Sequence, residues 1–126
     1  MIRIASVLTA LLFVLAGPAL AQDAAKADPD HYKVEFENDE VRVLRITYGP
    51  GEKSSMHHHP DAVAVMLTDG DFVMHMPDGT TEESGFPAGA AAWTPEVTHL
   101  PENRGNSEAV VILIEMKDDD DDDDDD

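Results

Sequence analysis

The sequence predicts an all-β sandwich or barrel, and three observations carry that prediction. Short segments rich in Val, Ile, Thr and Tyr recur along the chain, Gly, Pro and Asp turn signals separate them, and no segment shows a convincing helical period.

Taken in order, Met1 to Ala21 stands outside that fold. Arg3 gives a positive start, Val7 to Ala16 is an apolar run short for a bilayer, and Ala19-Leu20-Ala21 is a small-x-small cleavage pattern. This segment reads as a signal peptide. The mature chain is expected to begin near Gln22 and to be secreted, to a periplasm in a Gram-negative cell. Residues 22–30 have no periodicity and read as a linker to a single domain over residues 31–117.

Within the domain, Tyr32, Val34 and Phe36 alternate with Lys33, Glu35 and Glu37, the pattern of a half-buried strand. Val41 to Tyr48 is a second strand, with Leu44, Ile46 and Tyr48 on the face shared with Arg42. Gly49-Pro50-Gly51 breaks it before a short histidine-bearing strand. Ala62 to Thr68 is a nearly continuous apolar strand. Thr68-Asp69-Gly70 and Pro77-Asp78-Gly79 bracket a hairpin strand, Asp71 to Met76. Thr80 to Ser84 is polar and suits a sheet edge. Ala90 to Thr94, Val97 to Leu100 and the hydrophobic Ala109 to Met116 complete the set.

Charge narrows the function. The formal net charge is −19. Loss of Arg3 with the leader makes it −20, and the nine aspartates Asp118 to Asp126 carry −9 of that, leaving −11 on residues 22–117. Nucleic acid and anionic membrane surfaces need a basic face, so both are excluded as partners. The chain has no cysteine, so disulfides cannot stabilise it. A domain this small buries only roughly 60–65% of its unfolded surface, and a metal or a homodimer interface is expected to supply the rest.

The chemistry concentrates in Gly51 to Gly70. Residues two apart on a strand share a face, so His57 and His59 point together and His58 points away. Two imidazoles on one wall are half of a site for Fe, Ni, Cu or Zn, and His99 offers a third ligand. Gly51-x5-His57-x-His59-x3-Val63-x6-Gly70 resembles the first motif of the cupin family, with Val63 where glutamate is usual. Pro95 to Asn103, with His99-x3-Asn103, resembles the end of the second motif. The resemblance spans Tyr32 to Met116. It implies a double-stranded β-helix, or jelly roll, holding a divalent transition metal (Fe, Mn, Ni, Cu or Zn) on His57, His59 and His99. With Val63 replacing the glutamate, the ligand set looks like the three-histidine variant of cysteine, gentisate and diketone-cleaving dioxygenases. The Cys–Tyr crosslink of the first of these cannot form here.

Other residues carry less. His75 faces solvent if Phe72, Met74 and Met76 pack between the sheets, and the barrel otherwise. Arg42 or Arg45 could meet a substrate carboxylate, though surface ion pairing is the plainer role. Trp93 and Phe72 are expected in the core, with a pocket wall as the alternative. Met56, Met66, Met74, Met76 and Met116 fit core gap-filling. Asp118 to Asp126 has nothing apolar to bury and is expected to be a disordered tail that binds calcium weakly. No catalytic residue stands out. The expected function is metal-dependent, dioxygenase-like chemistry on a small chelating substrate, with a non-catalytic metal- or ligand-binding module as the alternative.

Overall fold

The computed structural model describes residues 22–118. The expected signal peptide, and the aspartate tail beyond Asp118, lie outside the described residues. One turn of helix, α1 (Ala24–Ala27), precedes nine strands: β1 (Tyr32–Glu37), β2 (Val41–Tyr48), β3 (His57–His59), β4 (Ala62–Met66), β5 (Gly70–His75), β6 (Thr81–Phe86), β7 (Ala91–Thr94), β8 (Val97–Asn103) and β9 (Ala109–Met116). The strands pair antiparallel in two sheets, ordered β1-β2-β9-β4-β7 and β3-β8-β5-β6. This is the all-β two-sheet architecture that the strand pattern predicts, and the jelly roll that the resemblance implies.

Period-two alternation builds the core. Leu44, Ile46 and Tyr48 of β2, Ala62, Ala64 and Met66 of β4, Phe72 of β5 and Leu113 of β9 are buried between the sheets. Turn chemistry fixes the hairpin: Gly79, at φ 86, supplies the left-handed residue between β5 and β6. Gly70 has a different role. It pairs with Phe86, whose ring lies where a Gly70 Cβ would stand, so the position takes no side chain. The polar β6 closes the edge of its sheet as expected.

Four local expectations are corrected. Tyr32 is buried, but Val34 and Phe36 are about half exposed. Strand β1 is an edge strand, and the register shifts between Val34 and Phe36, a bulge that turns Phe36 onto the outer face beside Val43. Residues 22–30 do not behave as a free linker: Ala24 is fully buried, the backbone N–H of His58 donates to Gln22 O at 2.9 Å, and Asp23 bridges His58. Val63 lies on the outer face of β4, because the Pro60-Asp61 corner restarts the alternation at Ala62. Trp93 pairs with Val63 and follows it outward, 57% exposed, so it is not a core residue. The outer face thus carries one continuous cross-strand row, Phe36–Val43–Ile114–Val63–Trp93.

Candidate metal centre

Strands β3 and β8 build the centre. His57 pairs directly with His99, so both project to one face, and His59 follows two residues on. The three rings stand edge to face, with centroids 4.8 to 5.4 Å apart. Each offers one ligand-capable nitrogen, and these nitrogens all lie within 4.8 Å of one another. His57 and His59 are buried, and His99 is largely so. His58, as the alternation predicts, turns away to Thr98 Oγ1 at 3.0 Å.

Hydrogen bonds decide which nitrogen faces inward. His57 Nδ1 donates to Ser55 O at 2.9 Å, leaving Nε2 with the lone pair. His59 Nδ1 donates to Glu115 Oε2 at 2.7 Å, with the same result. His99 Nε2 is buried and has no hydrogen-bond partner among the described residues. A buried polar atom without a partner is costly and uncommon, and here it faces two imidazoles presenting lone pairs. Burial, with charge on His59 adding to it, pushes His57 down to about 4. Burial first, then the neighbouring histidines, pushes His99 down to about 3. Both are therefore neutral near pH 7, the form that ligates a cation. The donor set fits a borderline divalent metal.

The surroundings supply the charge that Val63 was expected to leave out. Glu115 is 2% exposed; Arg42 Nε donates to its Oε1 at 2.8 Å and Arg42 Nη2 to the same oxygen at 2.6 Å. Arg42 also donates to Asp23 through Nη1 at 3.0 Å and through Nη2. Neither arginine is free for a substrate, since Arg45 pairs with Glu35 on the surface at 2.6 Å. Sequence reasoning passed over Glu115, although a carboxylate two residues after the inward Leu113 in an otherwise apolar strand was a legible signal. It also read Tyr32 only as a strand residue. The Tyr32 hydroxyl lies 2.7 Å from that of Tyr48 and 3.1 Å from His57 Nε2. Burial first, then Tyr48, holds the Tyr32 phenol well above 10.

Beside the histidines a cavity of about 490 Å³ opens between the sheets. Ala64, Met66, Phe72, Met74, Phe86 and Leu113 form much of its wall, with His59 and His99 at its inner end. Phe72, Met74 and Met76 face inward, so His75 lies on the outer side, its Nε2 3.5 Å from Glu102 Oε1. Trp93 borders the cavity at the β7 edge, and among the described residues no lysine or arginine lines it.

No protein-family model matches the sequence, and no curated protein matches it. Solved structures do. A cupin domain from Bordetella pertussis Tohama I is 30% identical, the match covering 69% of this chain and 92% of that one, at a TM-score of 0.64. An RmlC-like cupin with a double-stranded β-helix fold from Methanocaldococcus jannaschii is 14% identical over 68% of this chain and 77% of its own, at 0.53. RemF, a polyketide cyclase from Streptomyces resistomycificus, shares the fold at 18% identity and 0.51, covering 68% and 63%. The likeness to the Bordetella domain extends over nearly all of that chain, on a barrel whose inner wall here gathers His57, His59 and His99, and this protein belongs to the cupin superfamily.

Proposed function

We propose that this protein holds one divalent transition metal ion on His57, His59 and His99 and uses it in dioxygenase-type chemistry on a small substrate that chelates through two oxygens. The observation that carries this reading is the partnerless, buried Nε2 of His99, set against two imidazoles whose Nδ1 atoms are already engaged. When bound, iron, manganese, nickel, copper or zinc would supply Lewis acidity, and the redox-active ones a route for electrons. The chain's own residues do the rest. Ser55 and Glu115 fix the imidazole tautomers, burial keeps His57 and His99 neutral, and the apolar walls exclude water from the substrate. Tyr32, beside His57 Nε2, can donate a hydrogen bond to a substrate oxygen.

The cavity also indicates the substrate's body. Apolar walls suit an apolar or aromatic frame. Glu82 pairs with Met74 and so shares its inward face, with no lysine or arginine among the described residues lining the cavity. The far end of the substrate is therefore neutral or cationic rather than a second carboxylate. The test is elemental analysis per chain, followed by dioxygen uptake with neutral aryl diketones or catechols and their carboxylated analogues. Stoichiometric redox-active metal with uptake on the neutral compounds alone is expected.

A second reading, a non-catalytic metal- or ligand-binding protein, is favoured by Tyr32 and Tyr48. Burial raises both phenols above their ordinary value, which suits them to hydrogen bonding and not to proton transfer. Tight binding of the chelators without uptake would select it. The reading extends to context: the mature chain is exported to the periplasm, pairs with a second copy through the Phe36–Trp93 row, and carries a tail that takes up calcium weakly. The export pattern of Met1 to Ala21 and an apolar outer face spanning five strands support this.

A further inference from the structure

We infer that Asp23 and Asp28 are positioning residues of the metal centre, each holding one ligating histidine through a hydrogen-bonded chain. Residues 22–30 then belong to the site instead of leading up to it. The inference rests on the three-histidine reading. The first chain runs from the Asp23 carboxylate through the Arg42 guanidinium to Glu115 and on to His59 Nδ1. The second runs from Asp28 Oδ2, which accepts the Ser54 hydroxyl at 2.6 Å, to Ser54 Oγ, 3.1 Å from His57 Nδ1. His31 Nδ1 donates to the same Asp28 oxygen at 2.6 Å, and the His31 ring stacks on Tyr48 at 4.4 Å.

The physical logic differs between the two chains. Glu115 is buried, and alone it would be an uncompensated charge. Arg42 neutralises it, and Asp23 holds the long guanidinium side chain in place at its other end. Together the two carboxylates and one guanidinium leave a net −1 behind His59, which favours a cation in front of it. Asp28 instead fixes a hydroxyl rotor: with its proton given to Asp28, Ser54 Oγ can only accept from His57 Nδ1–H. Ser54 shares that N–H with Ser55 O, and the two acceptors together hold Nε2 toward the cluster. Both acids reach the site because α1 packs on β3, through His58 N–H to Gln22 O at 2.9 Å and Ser55 Oγ–H to Ala27 O at 3.2 Å. Outer partners of ligating histidines typically change metal affinity by about 10–100-fold.

The test uses the chain from Gln22 to Asp126, with zinc affinity measured by chelator competition and the visible spectrum of the cobalt(II)-loaded protein. Asp23→Asn and Asp28→Asn are each expected to weaken zinc about 10–100-fold and to shift the cobalt bands. Asp23→Glu and Asp28→Glu should recover part of the loss. Ala24→Gly removes a buried methyl that seats α1 without touching either chain, and should leave affinity and spectrum unchanged. Unchanged affinity in both asparagine variants would overturn the inference. An equal loss in Ala24→Gly would do so too, since it would reduce the segment's role to docking. Failure of the unsubstituted chain to bind zinc or cobalt would overturn the three-histidine reading itself, and this inference with it.

Discussion

Glu115 Oε2 stands 2.7 Å from His59 Nδ1, with both side chains buried and no other carboxylate at the cluster among the described residues. The negative charge of the cluster therefore sits behind a histidine and not among the three candidate ligand nitrogens. Its guanidinium partner should be as important as the carboxylate. Arg42→Met leaves Glu115 buried with its cation gone and is expected to destabilise the metal-free protein by about 3–5 kcal/mol, read from urea unfolding. Glu115→Gln keeps the shape and should cost far less stability, while weakening zinc about 10–100-fold.

The ligand set is tested by truncation. His57→Ala, His59→Ala and His99→Ala should each abolish tight metal binding in calorimetry. Each should also lower the melting temperature of the metal-loaded protein, because binding free energy is also folding free energy. His58→Ala, on the opposite face, should do neither.

The position on β4 that looks into the cavity is Ala64, not Val63. Ala64 is buried and lines the cavity with His59, whereas Val63 faces outward between Ile114 and Trp93. Ala64→Glu is expected to add a carboxylate to the metal, tightening binding and changing or abolishing turnover. Val63→Glu should leave metal affinity within about twofold, as an outer-face substitution does when it leaves the ligands untouched. Calorimetry on the pair decides the register.

Acid should loosen the metal-free protein in a defined window. His57 is held at about 4 and His99 at about 3, against an ordinary 6.5. The unfolded chain takes up protons below pH 6.5 that the folded one refuses, so stability is complete above that value. It should fall steadily as the pH drops toward 4, and more slowly toward 3. Urea midpoints between pH 7 and 4 measure it, and a flat profile would contradict the burial of these rings.

The outer row gives a prediction about assembly. Phe36 and Trp93 are 54% and 57% exposed and contribute little to the core. Phe36→Ser combined with Trp93→Ser should therefore leave the fold intact and shift the chain toward monomer in analytical ultracentrifugation.

Much of this was legible in the sequence, for identifiable reasons. Histidines at alternate strand positions gave two members of the cluster directly, because β alternation is a local property, and the third, His99, came from the resemblance of Pro95–Asn103 to a known motif. Turn residues marked most of the strands, since Gly79 and its kind answer to backbone sterics alone. What was not legible depended on pairing. The exposure of Val34 and Phe36 follows from β1 lying at an edge with a bulge, which no local pattern reveals. The outward turn of Val63 depends on how the Pro60-Asp61 corner resets the face. The packing of residues 22–30 depends on Asp23 meeting an arginine nineteen positions on, in a stretch without any periodicity to announce it.

The thioethers in the cavity wall have a consequence of their own. Met66, Met74 and Met76 line the chamber into which His59 and His99 project, while Met116 borders a separate crevice on the far side of Glu115. If the proposed oxygen chemistry takes place at the histidines, those three sulfurs share its chamber, and thioether sulfur takes up an oxygen atom readily. The wall is thus a chemical logbook: sulfoxide confined to these three methionines, with Met116 clean, would mark a protein that has handled activated oxygen inside its own barrel.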